Sequence, residues 1–190
     1  MRQKLLDGAL NLFVTNGYYN TSIRDIIKHS AVGAGSFYNY FSSKEEILEI
    51  LLEEFANDVI KNIKAYYKVE QSLLERFIET KRITMLIFSE HAQLSELYCK
   101  CSGTSKQIDD SIKRFEDKLL SFYERNLEYG IAEGVFRDVP IKPVCYSILA
   151  TEKYLLFRWI VLKDISKDEM IHSVVSFHQT LASGLVKENA

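Results

Sequence analysis

Residues Gly17 to Leu48 read GYYNTSIRDIIKHSAVGAGSFYNYFSSKEEIL. Ser22 followed three residues later by Asp25 is a capping-box pattern, in which each residue meets a free backbone N–H at a helix start. It predicts a short helix that turns Ile23, Ile26 and Ile27 inward and ends near His29. The small residues Ser30-Ala31-Val32 make a turn, and a third helix is expected from about Gly33 to Phe41, seated by Phe37 and Phe41 four positions apart. Ser43-Lys44-Glu45-Glu46 repeats the capping pattern and opens a long helix through Ile47, Leu48, Leu51, Phe55, Val59 and Ile63. Two short helices joined by a three-residue turn, over about residues 22–41, describe a helix-turn-helix, whose second helix has the size and exposure to enter the major groove of DNA.

The residues left on the outer surface of that second helix fit the same chemistry. Once Phe37 and Phe41 face inward, Ser36, Tyr38, Asn39 and Tyr40 lie on or near the outside, with Ala34 and Gly35 at the helix start. Adjacent exposed tyrosines suit a surface where hydroxyls meet phosphate oxygens. Lys44 is expected to add charge at the start of the long helix, where free N–H groups also favour phosphate. Thr21, Ser22 and Arg24 complete the candidate DNA-contacting set, Ser22 being a helix cap first.

Outward from this stretch, the apolar residues keep helical spacing almost throughout. Arg2 to Asn16 predicts a first helix carrying Leu5, Ala9, Leu12 and Phe13 on one face, stopped by Gly17. Beyond Tyr67 further helices are expected at about 71–91, 93–100, 106–133, from Pro140 to about 163, and from Ser166 to about 185. The third capping box, Ser166 to Glu169, starts the last of these, and a break is expected at Ser102-Gly103-Thr104. The 190 residues, 47% hydrophobic and with only two prolines and eight glycines, can bury a core but lack the turn residues of a β-sandwich. Up to Lys44 there are five Lys/Arg against two Asp/Glu, so only this segment of a chain with net charge −2 is basic. The expected organisation is all-α: an N-terminal three-helix helix-turn-helix domain, 1–46, and a larger C-terminal helical ligand-binding and dimerisation bundle, 47–190.

The second segment is rich in rings. Tyr66, Tyr67, Phe77, Phe88, Tyr98, Phe115, Phe122, Tyr123, Tyr129, Tyr154, Phe157 and Trp159 all fall on expected helices. Singly each reads as core, but together they can line a small-molecule cavity. Phe88, Tyr98, Phe122, Tyr123 and Trp159 are the candidate ligand contacts. Glu152 joins them: it shares a helix face with Ile148, Leu155 and Trp159, where a carboxylate is either paired with a buried base or aimed into a pocket, pairing being the favoured alternative. The last helix carries two apolar stripes, Met170, Val174, Phe177, Leu181, Leu185 and Ile171, Val175, His178, Ala182. Doubled stripes suggest burial on both sides, so Tyr154, Val174, Phe177, His178 and Leu181 are candidates for contact with a partner subunit. The four histidines show no metal-ligand spacing. Cys99, Cys101 and Cys145 form no CxxC pair, so they are expected to be reduced, buried thiols. No metal or cofactor is expected. An N-terminus without an unbroken apolar run and the lack of an 18-residue apolar stretch point to a cytoplasmic, non-membrane protein.

The N-terminal quarter resembles the TetR family of bacterial transcriptional repressors. The matching elements are Gly17, Thr21-Ser22, Ile23-Arg24-Asp25-Ile26, Ala31-Val32, Gly35-Ser36-Phe37-Tyr38-Asn39-Tyr40-Phe41 and Ser43-Lys44-Glu45-Glu46. Where the family often has a serine cap and a basic residue opening the recognition helix, this chain has Gly33 and Ala34. The resemblance implies a homodimer on a palindromic operator, released by a small effector bound in the second domain; the ring-rich composition suggests that the effector is hydrophobic. An enzyme is disfavoured by the absence of a nucleophile elbow, a phosphate-cradling glycine loop or a metal cluster. The remaining alternative is a helical small-molecule-binding or protein-interaction module with a vestigial helix-turn-helix.

Overall fold

In a computed structural model, residues 1–66, 71–101, 103 and 106–186 are described. Tyr67, and Ser102 and Thr104 of the expected break, lie outside them. The described residues form helices α1 (Arg2–Asn16), α2 (Ile23–His29), α3 (Ala34–Tyr38), α4 (Lys44–Ala65), α5 (Leu73–Glu90), α6 (Ala92–Cys101), α7 (Lys106–Ala132), α8 (Ile141–Phe157) and α9 (Lys167–Leu185). Their one β-type pairing is an isolated bridge between Phe136 and Val186. Among the described residues, no helix is long and apolar enough to cross a membrane.

The caps explain most of the boundaries. Ser22, Ser72 and Ser166 each close a reciprocal box with the carboxylate three residues on, Asp25, Glu75 and Glu169. The box at Ser72 starts α5 two residues later than expected. At α4 the expected box is only half formed. Ser43 accepts from the Glu46 N–H, but Glu46 reaches back to the N–H and hydroxyl of Ser42, both at 2.6 Å. The α2–α3 turn passes through Ala31 at φ 52°, left-handed backbone that a small residue adopts at modest strain. Helix α3 is shorter than expected: regular helix stops at Tyr38, and Tyr40 and Phe41 donate to the Phe37 carbonyl in a closing turn, both at 2.9 Å. The single helix expected up to residue 163 is also corrected. After Phe157 the backbone widens into a π-helical segment, Arg158–Leu162, which stops at Lys163 with φ 56°.

Helix α1 packs on α4 and on α2, and α2 on α3, with Phe37 and Phe41 buried in the same core as Leu5, Leu6, Ile26, Ile47 and Leu48. Helix α4, 22 residues and about 33 Å long, carries its apolar face onward to α5 and α7. Helices α5 and α9 pair closely, and α8 lies against both α7 and α9. One hydrophobic core therefore runs from Leu5 to Leu185. Helix α4 does not bridge the two ends alone, because α6 packs on α1 as well as on α5 and α8.

Candidate functional site

Two places concentrate functional chemistry. The first is the surface of the helix-turn-helix. Ala34, Gly35, Tyr38, Asn39 and Tyr40 are exposed and Ser36 is half-buried, so α3 and its closing turn present one uninterrupted face. Tyr38 and Tyr40 keep 63% and 45% of their surface in solvent, high values for rings flanked by the buried Phe37 and Phe41. No atom lies within 4 Å of where a Gly35 side chain would begin, so another molecule can approach the backbone there. Arg24 is exposed on α2. Ser22 spends its hydroxyl on Asp25, donating to the carboxylate at 2.6 Å and accepting from the Asp25 N–H at 3.2 Å. The Ser22 hydroxyl, with the Ser22 N–H donating to the same oxygen at 2.9 Å, holds the Asp25 carboxyl below its ordinary range.

Two members of the expected set are turned inward. Thr21 is buried, and its hydroxyl donates to the carbonyls of Gly17 (2.9 Å) and Leu12 (3.2 Å), leaving nothing for a phosphate. Lys44 is half-buried. Its ammonium donates to the carbonyls of Tyr18 (2.8 Å) and Thr21 (3.0 Å) and stands 4.3 Å from the centre of the Tyr18 ring. It clamps the α1–α2 connection onto α4, a structural role that the sequence reading did not include. Tyr19, 56% exposed beside this clamp, escaped the sequence reading.

The second place is a cavity of about 160 Å³ lined chiefly by α5 and α7, with Phe136 and Ile148 completing the wall. Of the candidate ligand contacts, Phe122 and Tyr123 line it. Phe88 and Tyr98 do not: Phe88 meets Phe55 and Phe115 edge to face, Tyr98 lies tilted against Phe115, and the Tyr98 hydroxyl donates to Glu116 at 2.8 Å. Trp159, half-buried on the π segment, lies away from the cavity.

Glu152 sits behind the wall. It is 3% exposed, accepts from the Tyr123 hydroxyl at 2.7 Å, and its other oxygen is 3.6 Å from the Lys81 ammonium. The structure thus forms the favoured alternative, a buried ion pair. Lys81, which does line the cavity, was missed, although it lies four residues after Phe77 and seven before Phe88 on the apolar face of α5. Burial pushes the Lys81 amine down and the Glu152 carboxyl up, each against the pull of the other. His178 is close enough to feel the Lys81 charge. Burial, reinforced by that charge, pushes its pKa down to about 3, and its Nδ1 bonds to the Val174 carbonyl at 2.7 Å.

The outer faces of α8 and α9 are corrected in the same way. Val174 and His178 are fully buried within the chain, against the expectation that they meet a partner subunit; α9 turns them toward its own core. Tyr154, 60% exposed, and the half-buried Phe177 and Leu181 remain outside. Phe177 and Leu181 border an apolar groove with Val139, Pro140 and Val144. Cys99, Cys101 and Cys145 are buried free thiols.

The comparisons with known proteins agree with this anatomy. The family model described as bacterial regulatory proteins, tetR family, matches residues 5–51, from α1 into α4. A protein of Syntrophomonas wolfei, described as a TetR-family transcriptional regulator, superposes with a TM-score of 0.94 at 57% identity, covering 99% of this chain and 97% of that one. The fatty acid metabolism regulator protein of Bacillus subtilis is 28% identical over 190 residues, 96% of this chain and 94% of its own. The solved structure of the transcriptional regulator FadR from Bacillus subtilis in complex with stearoyl-CoA shares the fold, with a TM-score of 0.83 at 18% identity over 94% of this chain and 97% of that one. An exposed helix-turn-helix face on an all-helical body, and 57% identity across nearly the whole length, place the conclusion beyond the fold alone: the chain belongs to the TetR family of bacterial regulatory proteins, and it is a DNA-binding transcriptional regulator, not an enzyme.

Proposed function

We propose that the protein is a homodimeric repressor that leaves a palindromic operator when a small hydrophobic effector fills the α5–α7 cavity. In this reading residues 1–46 hold the DNA and 47–190 hold the effector and the partner subunit. The observation that carries it is the position of the cavity. Its wall is α5, which packs against both α4 and α6, and these two helices reach the helix-turn-helix by separate routes. Occupancy that favours another placement of α5 therefore alters how α1 to α3 are held.

On the DNA side, Tyr38, Tyr40 and Arg24 are assigned to phosphates, and Ala34, Gly35, Ser36 and Asn39 to base edges, with Ser22 at the helix start. Lys44 and Thr21 act one step back, by fixing the connection that aims α2. Dimerisation is assigned to the outer faces of α8 and α9 through Tyr154, Phe177 and Leu181. A two-fold dimer sets its recognition helices about one DNA turn apart, ~34–36 Å, so a small tilt in both subunits disfavours simultaneous contact. The relatives support a hydrophobic effector, since one of them is seen with stearoyl-CoA. The cavity here is far smaller than an 18-carbon chain requires.

The test is a reciprocal titration. A palindromic duplex recovered by in vitro selection is titrated with the protein, with and without members of a panel of monocyclic aromatic and short acyl compounds. Ligand affinity is then measured with and without the duplex. Both affinities should fall by the same factor, a coupling of about 1–3 kcal/mol. A compound that fills the cavity tightly and leaves operator affinity unmoved refutes control through this site.

A further inference from the structure

We infer that the cavity takes a neutral monocyclic aromatic alcohol, a phenol, with its ring among Phe77, Phe122, Phe136 and Ile148 and its oxygen toward Lys81. The inference rests on the reading of this cavity as the effector site and specifies what that site accepts. Three observations carry it.

The first is size. About 160 Å³ is the room that one six-membered ring needs, since an engineered apolar cavity of about 150 Å³ in another protein takes up benzene. The second is the wall. Phe77 and Phe136 meet edge to face with ring centres 5.5 Å apart, and Phe122, Leu127 and Ile148 complete an apolar, ring-lined space. Such walls favour a flat aromatic guest that meets them edge to face or in offset stacks.

The third is an unmet polar end. Lys81, with its side chain 3% exposed, lines the cavity, and its ammonium makes no hydrogen bond. The Tyr123 ring covers it, with the centre 3.1 Å away. The nearest Glu152 oxygen, Oε1, is 3.6 Å off and equally without a hydrogen bond. The two groups are matched in charge but stand too far apart for a close hydrogen bond, so the ammonium keeps donor capacity that a polar guest can use. Of the two, Lys81 belongs to the cavity wall, with Glu152 behind it, so a guest oxygen at this end accepts from the ammonium. A neutral hydroxyl does so without bringing a second negative charge near Glu152, whereas a carboxylate guest meets the Glu152 charge.

The experiment is calorimetric titration of the full-length protein with p-cresol and with toluene, which have nearly the same shape and differ by the hydroxyl. p-Cresol should bind about tenfold tighter or more. In Lys81→Met, and in the paired variant Lys81→Met/Glu152→Met that leaves no lone buried charge, p-cresol should fall to the affinity of toluene, with toluene little changed. Equal binding of the two compounds to the unaltered protein overturns the inference without touching the effector reading. So does binding of neither, when a larger acyl compound still releases the operator. A preference for p-cresol that vanishes in the variants while operator affinity never moves leaves the inference standing and removes the effector reading.

Discussion

Two of the three N–H bonds of the Lys44 ammonium end on the carbonyls of Tyr18 and Thr21, and the Tyr18 ring lies beneath them. Truncation should therefore act on stability before it acts on charge. Lys44→Ala is expected to destabilise the protein by about 1–3 kcal/mol through the two stranded carbonyls. Operator affinity should fall with the slope of log affinity against log salt unchanged, because no counterion-releasing contact is lost. Tyr38→Phe should do the reverse, moving stability by no more than about 0.5 kcal/mol while weakening DNA. Denaturant melts and salt-series titrations of both variants check the pair. His178 belongs to the same scale. Its folded pKa of about 3 lies below the ordinary value of 6.5, so between those values the unfolded chain binds a proton that the folded one refuses. Its contribution is complete above pH 6.5 and is lost as pH falls toward 3, amounting to about 2 kcal/mol by pH 5. His178→Phe should flatten the decline between pH 6.5 and 5, read as the difference between the two stability curves.

The elements were legible where their ends are written in polar residues. Ser22, Ser166 and the stretch Gly17 to Leu48 gave α2, α9 and the helix-turn-helix face, because a cap is a local event between residues three apart. The end of α3, the split box at Ser42 and Ser43, and the π segment depend on contacts across the fold, and no local pattern carries them. The same division holds at the cavity. Phe122 and Tyr123 were marked by their size, but Phe88 and Tyr98 have the same size and fill core. Lys81 was hidden because a lysine on an apolar face reads as an interruption until its partner on another helix is known. Gly130 is another unread residue. A side chain there would begin 2.2 Å from Cδ2 of Phe136, a ring only 2% exposed and itself part of the cavity wall. Gly130→Ala should push that ring into the cavity, costing about 1–3 kcal/mol and abolishing uptake of a ring-sized guest. Thermal melts with and without p-cresol test both halves.

At the scale of the molecule the question is what covers Phe177 and Leu181. If a second subunit does, Leu181→Glu should yield monomers in sedimentation with an unchanged far-ultraviolet spectrum. Operator affinity should then collapse, since one half-site alone binds poorly. A dimer that survives the substitution places the interface elsewhere. The end of α9 has a further consequence. The Arg137 N–H donates to the Leu185 carbonyl at 2.8 Å, and Phe136 pairs with Val186, so the segment that walls the cavity is tied to the last turn of the helix assigned to the partner. Guest and partner subunit then pull on the two ends of one short tether. Mass action follows: p-cresol should bind with one affinity in concentrated protein and another once dilution separates the subunits, and a dilution series would expose the difference.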